Sequence, residues 1–541
     1  MKTACDTIFD YHQRTKHHLG RYAAGPDFLD WDSQPDPFRT FDGSARVELP
    51  LLGEVSQPLY AALYQPGAVA AQALTLSSIA ALFELSFGLS AWKQYDNNRW
   101  ALRCNPSSGN LHPTEAYLVV PECDGLSAGV HHYLSRDHVL EQRCHFAPPL
   151  SIFPSDSFLV GLSSISVRES WKYGERAFRY CQHDAGHAIA ALRYAAATLG
   201  WQVRLLDSWS DAEIGTILGV DREADFGSAE RESPDLMLLV TISSQHDAAV
   251  GFEANSLVES VRRGEWHGKA NVLSPEKPIV WPVIEQVSQA GQKPRTQLLS
   301  WHAPGLPAPL DSFCKLSATE LIKQRRSAQK FDGSTAISSR AFYRILDTTL
   351  PRAGLAPWDA IDWEPRMHLF IFVHRVEGLV PGLYIFLRNG HIKEQMRAEL
   401  SAEFEWLPVS GCPGHFALFL LLRADLKKAA RTLSCHQNIA SDSAFSLGML
   451  AEYQASLSSG PWVYRQLFWE AGMLGQVLYL EAEAANVRGT GIGCYFDDEV
   501  HDLLGLKTRA FQSLYHFTVG GAVTDARLQT LAAYEHLQHR G

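Results

Sequence analysis

Apolar side chains recur at helical spacing in several stretches of this 541-residue chain and condense into short buried runs in others. Leu76, Ile79, Leu82, Phe83 and Leu85 fall on one helical face behind Thr75, a residue suited to an N-cap, and predict a helix from about 75. A strand is expected at Glu115–Val120, a long Ala-rich helix at Ala177–Leu199, and a closing buried strand at Pro234–Ser243. The same sequence of elements returns later: a strand at His368–His374, a helix at Trp462–Asn486 and a strand near Leu514–Val519. Helices alternating with short buried strands predict an α+β class in which mixed sheets are flanked by helices.

The recurrence is also visible residue by residue. GLSAGVHHYLSRDHVLEQ (125–142) aligns without a gap on GLVPGLYIFLRNGHIKEQ (378–395), pairing Gly125 with Gly378, Gly129 with Gly382 and His138 with His391. Residues 179–220 align in the same way on 465–506, pairing Arg179 with Arg465, Gly186 with Gly472 and Asp211 with Asp497. Self-similarity over such lengths implies duplicated domains and an intramolecular pseudo-dimer. The expected division is an extended arm over 1–60, a first domain over 61–261, a Pro-rich linker over 262–314 and a second domain over 315–541. Residues 1–60 are aromatic and Pro/Gly-punctuated without a sustained period, which predicts an arm wrapping a neighbour rather than disorder.

Composition then narrows the function classes. The formal net charge of −11, with no dense Lys/Arg run, argues against nucleic-acid binding. Nine cysteines, scattered, odd in number and never spaced CxxC, argue against a disulfide framework and a zinc site, and no HxH or HExxH pairing suggests another metal. No apolar run approaches the ~20 residues that span a bilayer, and the N-terminus has no signal-like apolar core. A soluble, cytoplasmic protein with reduced thiols is expected.

Three segments carry candidate chemistry. Pro106-Ser107-Ser108-Gly109-Asn110, with His112-Pro113 beyond it, makes a rigid loop of small hydrogen-bonding residues suited to the polar edge of a planar ligand; it also reads as an ordinary turn. Arg325-Arg326-Ser327-Ala328-Gln329 supplies forked cations and a hydroxyl of the kind that hold a phosphate, although paired arginines are commonly solvated. Arg488-Gly489-Thr490-Gly491-Ile492-Gly493-Cys494 follows a long helix with alternating glycines, so that backbone amides can approach a ligand closely.

Together these segments resemble the nitroreductase family of flavoproteins and, within it, the SagB-type dehydrogenases that oxidise azoline rings in peptide natural products. Pro106, Ser107, Ser108 and Asn110 resemble the family's Pro-Ser-Ser-x-Asn loop; Arg325, Arg326, Ser327 and Gln329 resemble its phosphate-binding segment; Gly491, Ile492, Gly493 and Cys494 its loop facing the flavin; Arg527 its C-terminal phosphate ligand. Lys172 and Tyr173 are similar to the pair assigned to proton removal in azoline-oxidising relatives. The resemblance implies FMN at a domain interface, with no metal. Since the first copy has Gln65-Pro66-Gly67-Ala68 where the arginines belong and the second has Pro357–Asp362 in place of the Pro-Ser-Ser loop, it implies one composite site and a vacant counterpart. Expected partners are a small-molecule or peptide-derived substrate and a possible nicotinamide donor. Three alternatives stay open: an NAD(P)H-dependent nitro or quinone reductase, flavin-fragmenting chemistry, and a non-catalytic ligand-binding scaffold in a biosynthetic complex.

Overall fold

The computed structural model describes residues 2–53, 58–123, 125–146, 153–154, 156–242, 252–298 and 301–537. Its first element corrects the expected extended arm: Ala4–Arg14 is a helix, α1, opened by a capping box between Thr3 and Asp6. Ile8, Tyr11 and His12 form its buried face, and a histidine on that face hid the apolar period. After it the chain does run extended over the second half of the molecule, bridging His17 to Phe496.

The first half then follows as helix α2 (Leu76–Ser86), the hairpin β1 (Leu89–Tyr95) and β2 (Asn98–Arg103), strands β3 (Thr114–Val120), β4 (Gly129–Leu134), β5 (Val139–His145) and β6 (Ser157–Ser164), helices α3 (Ser166–Tyr173) and α4 (Ala177–Thr198), and strands β7 (Gln202–Leu205) and β8 (Ser233–Thr241). The second half repeats this order with helix α5 (Ala318–Gln324), strands β9 (Met367–Val373), β10 (Gly382–Leu387), β11 (Ala417–Arg423) and β12 (Phe445–Glu452), helix α6 (Val463–Ala484), strands β13 (Arg488–Ile492) and β14 (Phe511–Gly520), and a final β15 (Gln529–Leu531). One sheet runs β5-β4-β3-β6-β8-β7 and the other β11-β10-β9-β12-β14-β13, all neighbours antiparallel. The two sheets therefore share one topology. Ser243, the last residue of the expected closing strand, lies outside the described residues.

Two expectations need correction. The segment 262–314 does not begin as a linker: Glu265–Trp266 pairs with Cys144 and His145 and adds an edge to the first sheet, and Pro282–Ala290 is helical. A two-residue strand is too short to leave a period in the sequence. The repeat also diverges at its end, where Val139–His145 is strand β5 but Lys393–Glu399 is helical. The first, VLEQRCH, is held between Arg46–Glu48 and β4 as neighbouring strands, whereas KEQMRAE is built from good helix formers.

The two 22-residue helices, α4 and α6, pack face to face at the centre. Gly186 of α4 lies against the Trp469 backbone and Gly472 of α6 against that of His183; a Cβ on either would overlap the facing carbonyl, which is why both copies carry glycine here. One core of buried side chains is continuous across both halves, with α4 and α6 inside it, while separate clusters cover the outer face of each sheet. Buried ion pairs cross reciprocally. Arg179 reaches Asp497 of the second half at 2.9 Å, and its repeat partner Arg465 reaches Asp211 of the first at 2.7 Å. Reciprocal contact between equivalent residues is the mark of a two-fold interface. The end of the chain also crosses over, β15 pairing with β1. No helix among the described residues is long and apolar enough to cross a membrane.

Candidate active site

Where the two halves meet near β1, β2 and β13, a cavity of about 640 Å³ opens, within the usual range for a small-molecule site. Its first wall is the loop after β2. Gly109, Asn110 and His112 all have positive φ, 60°, 61° and 53°, and the loop is tied internally: Ser107 Oγ accepts from His112 N–H at 2.8 Å, and Asn110 Nδ2 donates to Ala101 O at 2.9 Å. Asp184 of α4 anchors it from behind, accepting from Ser108 N–H and from Ser108 Oγ, both at 3.1 Å. Burial pushes the Asp184 carboxyl up to about 7, against the opposing pull of the Ser107 and Ser108 donors. Its repeat partner, Glu470, is the buried carboxylate that takes the Arg366 and Met367 amides in the other half.

The second wall comes from α5 and β13. Helix α5, capped by a Ser317/Glu320 box, ends at Arg325, whose guanidinium lies 5.0 Å over the Tyr479 ring and donates to Arg103 O at 3.1 Å. Its buried Nε has no hydrogen-bond partner. Arg326 donates to Ser90 O at 3.1 Å and to Lys323 O at 2.7 Å. Among the described residues neither arginine has a carboxylate partner within ion-pair distance. Burial, followed by the charge of Arg325, pulls Arg326 down to about 10. Lys93 and Arg488 line the same cavity, as does Asp525, and with Arg488 lying 3.6 Å from Glu483 the lining keeps a net positive charge. Ser327 Oγ and the Gly491 amide both meet Tyr479 Oη, at 2.8 and 3.0 Å. At Gly491 and Gly493 a Cβ would overlap Tyr515 and Tyr180; only glycine lets this strand lie so close to the aromatic floor.

The cavity thus gathers Pro106, Ser107, Ser108 and Asn110 from one half and Arg325, Arg326, Ser327, Gln329, Gly491, Ile492, Gly493 and Cys494 from the other. Tyr173, at the end of α3, also lines it; Lys172 does not, its ammonium lying over the Trp31 ring at 5.7 Å and, with the Tyr173 hydroxyl, facing Gly109. Burial lowers the Lys172 pKa against the opposing charge of Glu169, and raises that of Tyr173 well above the usual phenol range. The arm presses on this corner: Trp31 packs on Trp171 at 5.4 Å, and Gly174, at φ 52°, sits where a Cβ would strike Ala24 and Gly25. Arg527 is placed differently from expectation. Its side chain is 72% exposed, is paired with Asp525 at 2.7 Å and does not line the cavity, because its neighbouring carboxylate captures it locally.

Sequence reasoning missed Lys93, Asp184, Tyr180, Tyr479 and Tyr515. Only Asp184 left a signal, a carboxylate kept at both positions of the repeat. The pseudo-symmetric location is filled. Tyr60, Tyr64 and Tyr194 form a chain of hydroxyls at 2.9 Å spacing that ends on Glu481, which also takes Arg344. Asp359 pairs with Arg193, the repeat partner of Tyr479, at 2.8 Å.

These features define a nitroreductase-like fold. A provisionally named nitroreductase of Anabaena variabilis superposes with a TM-score of 0.69 at 21% identity, covering 96% of this chain and 99% of that one. No family model matches the chain. In sequence, a Methanocaldococcus jannaschii protein provisionally named nitroreductase MJ1384 is 26% identical over 126 residues, 21% of this chain and 63% of that protein, so the match spans less than two thirds of the relative's length. The structural likeness shows the fold, and the sequence match is to part of one protein that carries this family's name. A structure of the Escherichia coli McbBCD microcin synthetase with truncated pro-MccB17 is similar over 45% of this chain at 17% identity, with a TM-score of 0.27, too low to bear on function.

Proposed function

We propose that this chain is an FMN-dependent oxidoreductase with one flavin held between two fused nitroreductase-like domains, and that its substrate is a peptide-derived or other small heterocycle. The observation that carries the reading is the cavity itself, which joins a small-residue polar loop from one half to buried, uncompensated cations from the other. The residues present fit the cofactor. Arg325 and Arg326, with Lys93 and Arg488 beside them, would hold the phosphate; the Pro106–Asn110 loop and the Gly491–Gly493 strand would face the ring system. Bound there, the flavin supplies hydride transfer.

The chain's own contribution is binding, orientation and proton handling. Asp184 fixes the loop through Ser108 and so sets where its donors point. Tyr173, its phenol held protonated by burial, serves as a hydrogen-bond donor. Lys172, whose ammonium is weakened by burial, is the group suited to take a proton from substrate.

The test is to denature the purified protein and quantify released flavin. About one FMN per chain, with turnover lost and flavin retained in Lys172→Met, supports the proposal. Two flavins per chain would refute the single composite site. Bound FMN without turnover toward any donor, acceptor or heterocycle would favour the scaffold reading instead.

A further inference from the structure

Tyr515 reaches the floor of this cavity through an irregularity in β14. Met449 of β12 faces Tyr515, but the next residue, Leu450, faces Ser513, so Leu514 is one residue more than the pairing needs. The bulge breaks the alternation of faces, and the consecutive side chains of Leu514 and Tyr515 both turn into the central core. Bulges re-aim side chains, and this one brings a phenol to the cavity wall.

The hydroxyl is held from α4. Tyr515 Oη lies 3.2 Å from His187 Nε2, and one turn earlier the His183 ring stacks on the phenol at 4.2 Å, 24° from parallel. Two glycines make room for the pair: a Cβ at Gly475 of α6 would strike the rings of His187 and Tyr515, and a Cβ at Gly491 would overlap Tyr515 Oη. The hydroxyl therefore rests against the backbone of β13, at the ring end of the proposed site. Burial, followed by the charge of Arg325, holds His187 down to about 3, and burial lifts Tyr515 well above the usual phenol range, so the pair stands as neutral imidazole and neutral phenol. A phenol hydroxyl offers one donor and two acceptor positions, of which a single imidazole nitrogen occupies one. Among the described residues Tyr515 Oη has no second hydrogen-bond partner, whereas Tyr479 Oη beside it is taken up by Ser327 and the Gly491 amide.

The filled counterpart of the site lacks every part of this arrangement except the bulge. At the repeat-equivalent positions His187 is Met473, Gly475 is Ile189 and Gly491 is Leu205. Strand β8 carries the same bulge, and its register on β7 places Leu236 where β14 has Tyr515. The bulge thus belongs to the fold, and the phenol, the imidazole and the two glycines belong to the open cavity.

We infer that Tyr515 is a ring-binding residue of this site and that His187 positions it, the phenol hydroxyl fixed by His187 Nε2 making a hydrogen bond to the polar edge of the flat ring system bound in the cavity. The inference rests on the flavin reading of the cavity, since a flavin ring presents carbonyl and ring-nitrogen atoms along one edge.

The experiment titrates the full-length protein, stripped of bound flavin, with FMN and with riboflavin, following flavin fluorescence and the visible absorption of the bound flavin. Tyr515→Phe should weaken both ligands by the same factor, roughly 2- to 13-fold, as for one neutral hydrogen bond, and should shift the visible band of bound FMN. Equal loss marks a contact to the ring that both ligands share. His187→Ala should weaken both in the same way, and His187→Gln, which keeps a hydrogen-bonding side chain, should recover part of the loss. In the Tyr515→Phe background His187→Ala should cost no further affinity, because a residue that acts through the hydroxyl has nothing left to aim. Circular dichroism checks that each variant is folded. If folded Tyr515→Phe binds both flavins as the wild type does with an unchanged spectrum, or loses affinity for FMN alone, the ring contact is overturned. If His187→Ala costs as much in the double variant as by itself, its positioning role is overturned. Both results leave the flavin reading standing, whereas a wild type that binds neither ligand overturns that reading and this inference together.

Discussion

Replacing Arg326 with alanine separates the phosphate end of the proposed site from its ring end. In the ligand-free protein this guanidinium is a burden: it is buried beside Arg325, its pKa is depressed to about 10, and it makes do with Ser90 and Lys323 carbonyls. A bound phosphate would replace those neutral acceptors with charged ones. A hydrogen bond to a charged group contributes about 1.5–3 kcal/mol, so Arg326→Ala is expected to weaken FMN binding roughly 10- to 150-fold. The assay is titration of the flavin-stripped protein, read by quenching of flavin fluorescence, with FMN and with riboflavin in parallel. Riboflavin lacks the phosphate, and its affinity should stay within about twofold of the parent's. The pair of ligands therefore reports where the arginine acts, not merely whether it matters. An unchanged FMN affinity, or an equal loss for both flavins, would refute the assignment of this end of the cavity to the phosphate. Substitution at Gln65, the equivalent position of the first half, should change neither.

Three further outcomes follow from the same geometry. Gly186→Ala or Gly472→Ala drives a methyl into the facing helix backbone and should lower stability by about 1–3 kcal/mol or more in denaturant titrations; a neutral effect at both positions would contradict the close packing of α4 and α6. Asp184 carries a folded-state pKa of about 7, raised above the usual carboxyl value by burial, so the folded protein keeps a proton that the unfolded chain gives up. Its contribution to stability is therefore lost as pH rises from about 4 to about 7, on the order of 4 kcal/mol, and Asp184→Asn should flatten that part of the stability–pH profile. Asp359→Ala leaves Arg193 as an unpaired buried cation in the filled counterpart of the site, which should cost about 3–5 kcal/mol of stability while the flavin content per chain stays the same.

Local pattern carried much of the architecture. The helix behind Thr75, both long central helices and the closing strands of each half were legible because a 3.6-residue period or a dense β-branched run is written in consecutive residues. The repeat named Gly186 with Gly472 and Arg179 with Arg465 as equivalents before any contact was known. The loop at Pro106–Asn110 and the cations at Arg325 and Arg326 stood out by composition, and both line the cavity.

Tertiary structure decided the rest. Lys93 brings charge into the cavity from a hairpin that carries no recognisable motif, and Arg527 is lost from it to a carboxylate two residues away. Which copy keeps an open cavity and which is plugged by Tyr60, Tyr64 and Tyr194 on Glu481 depends on side chains from three distant segments meeting. The division has one physical cause: backbone periodicity and capping are set by neighbours a few residues away, whereas burial, field and ionisation at a site are set by whatever the fold brings within a few ångströms.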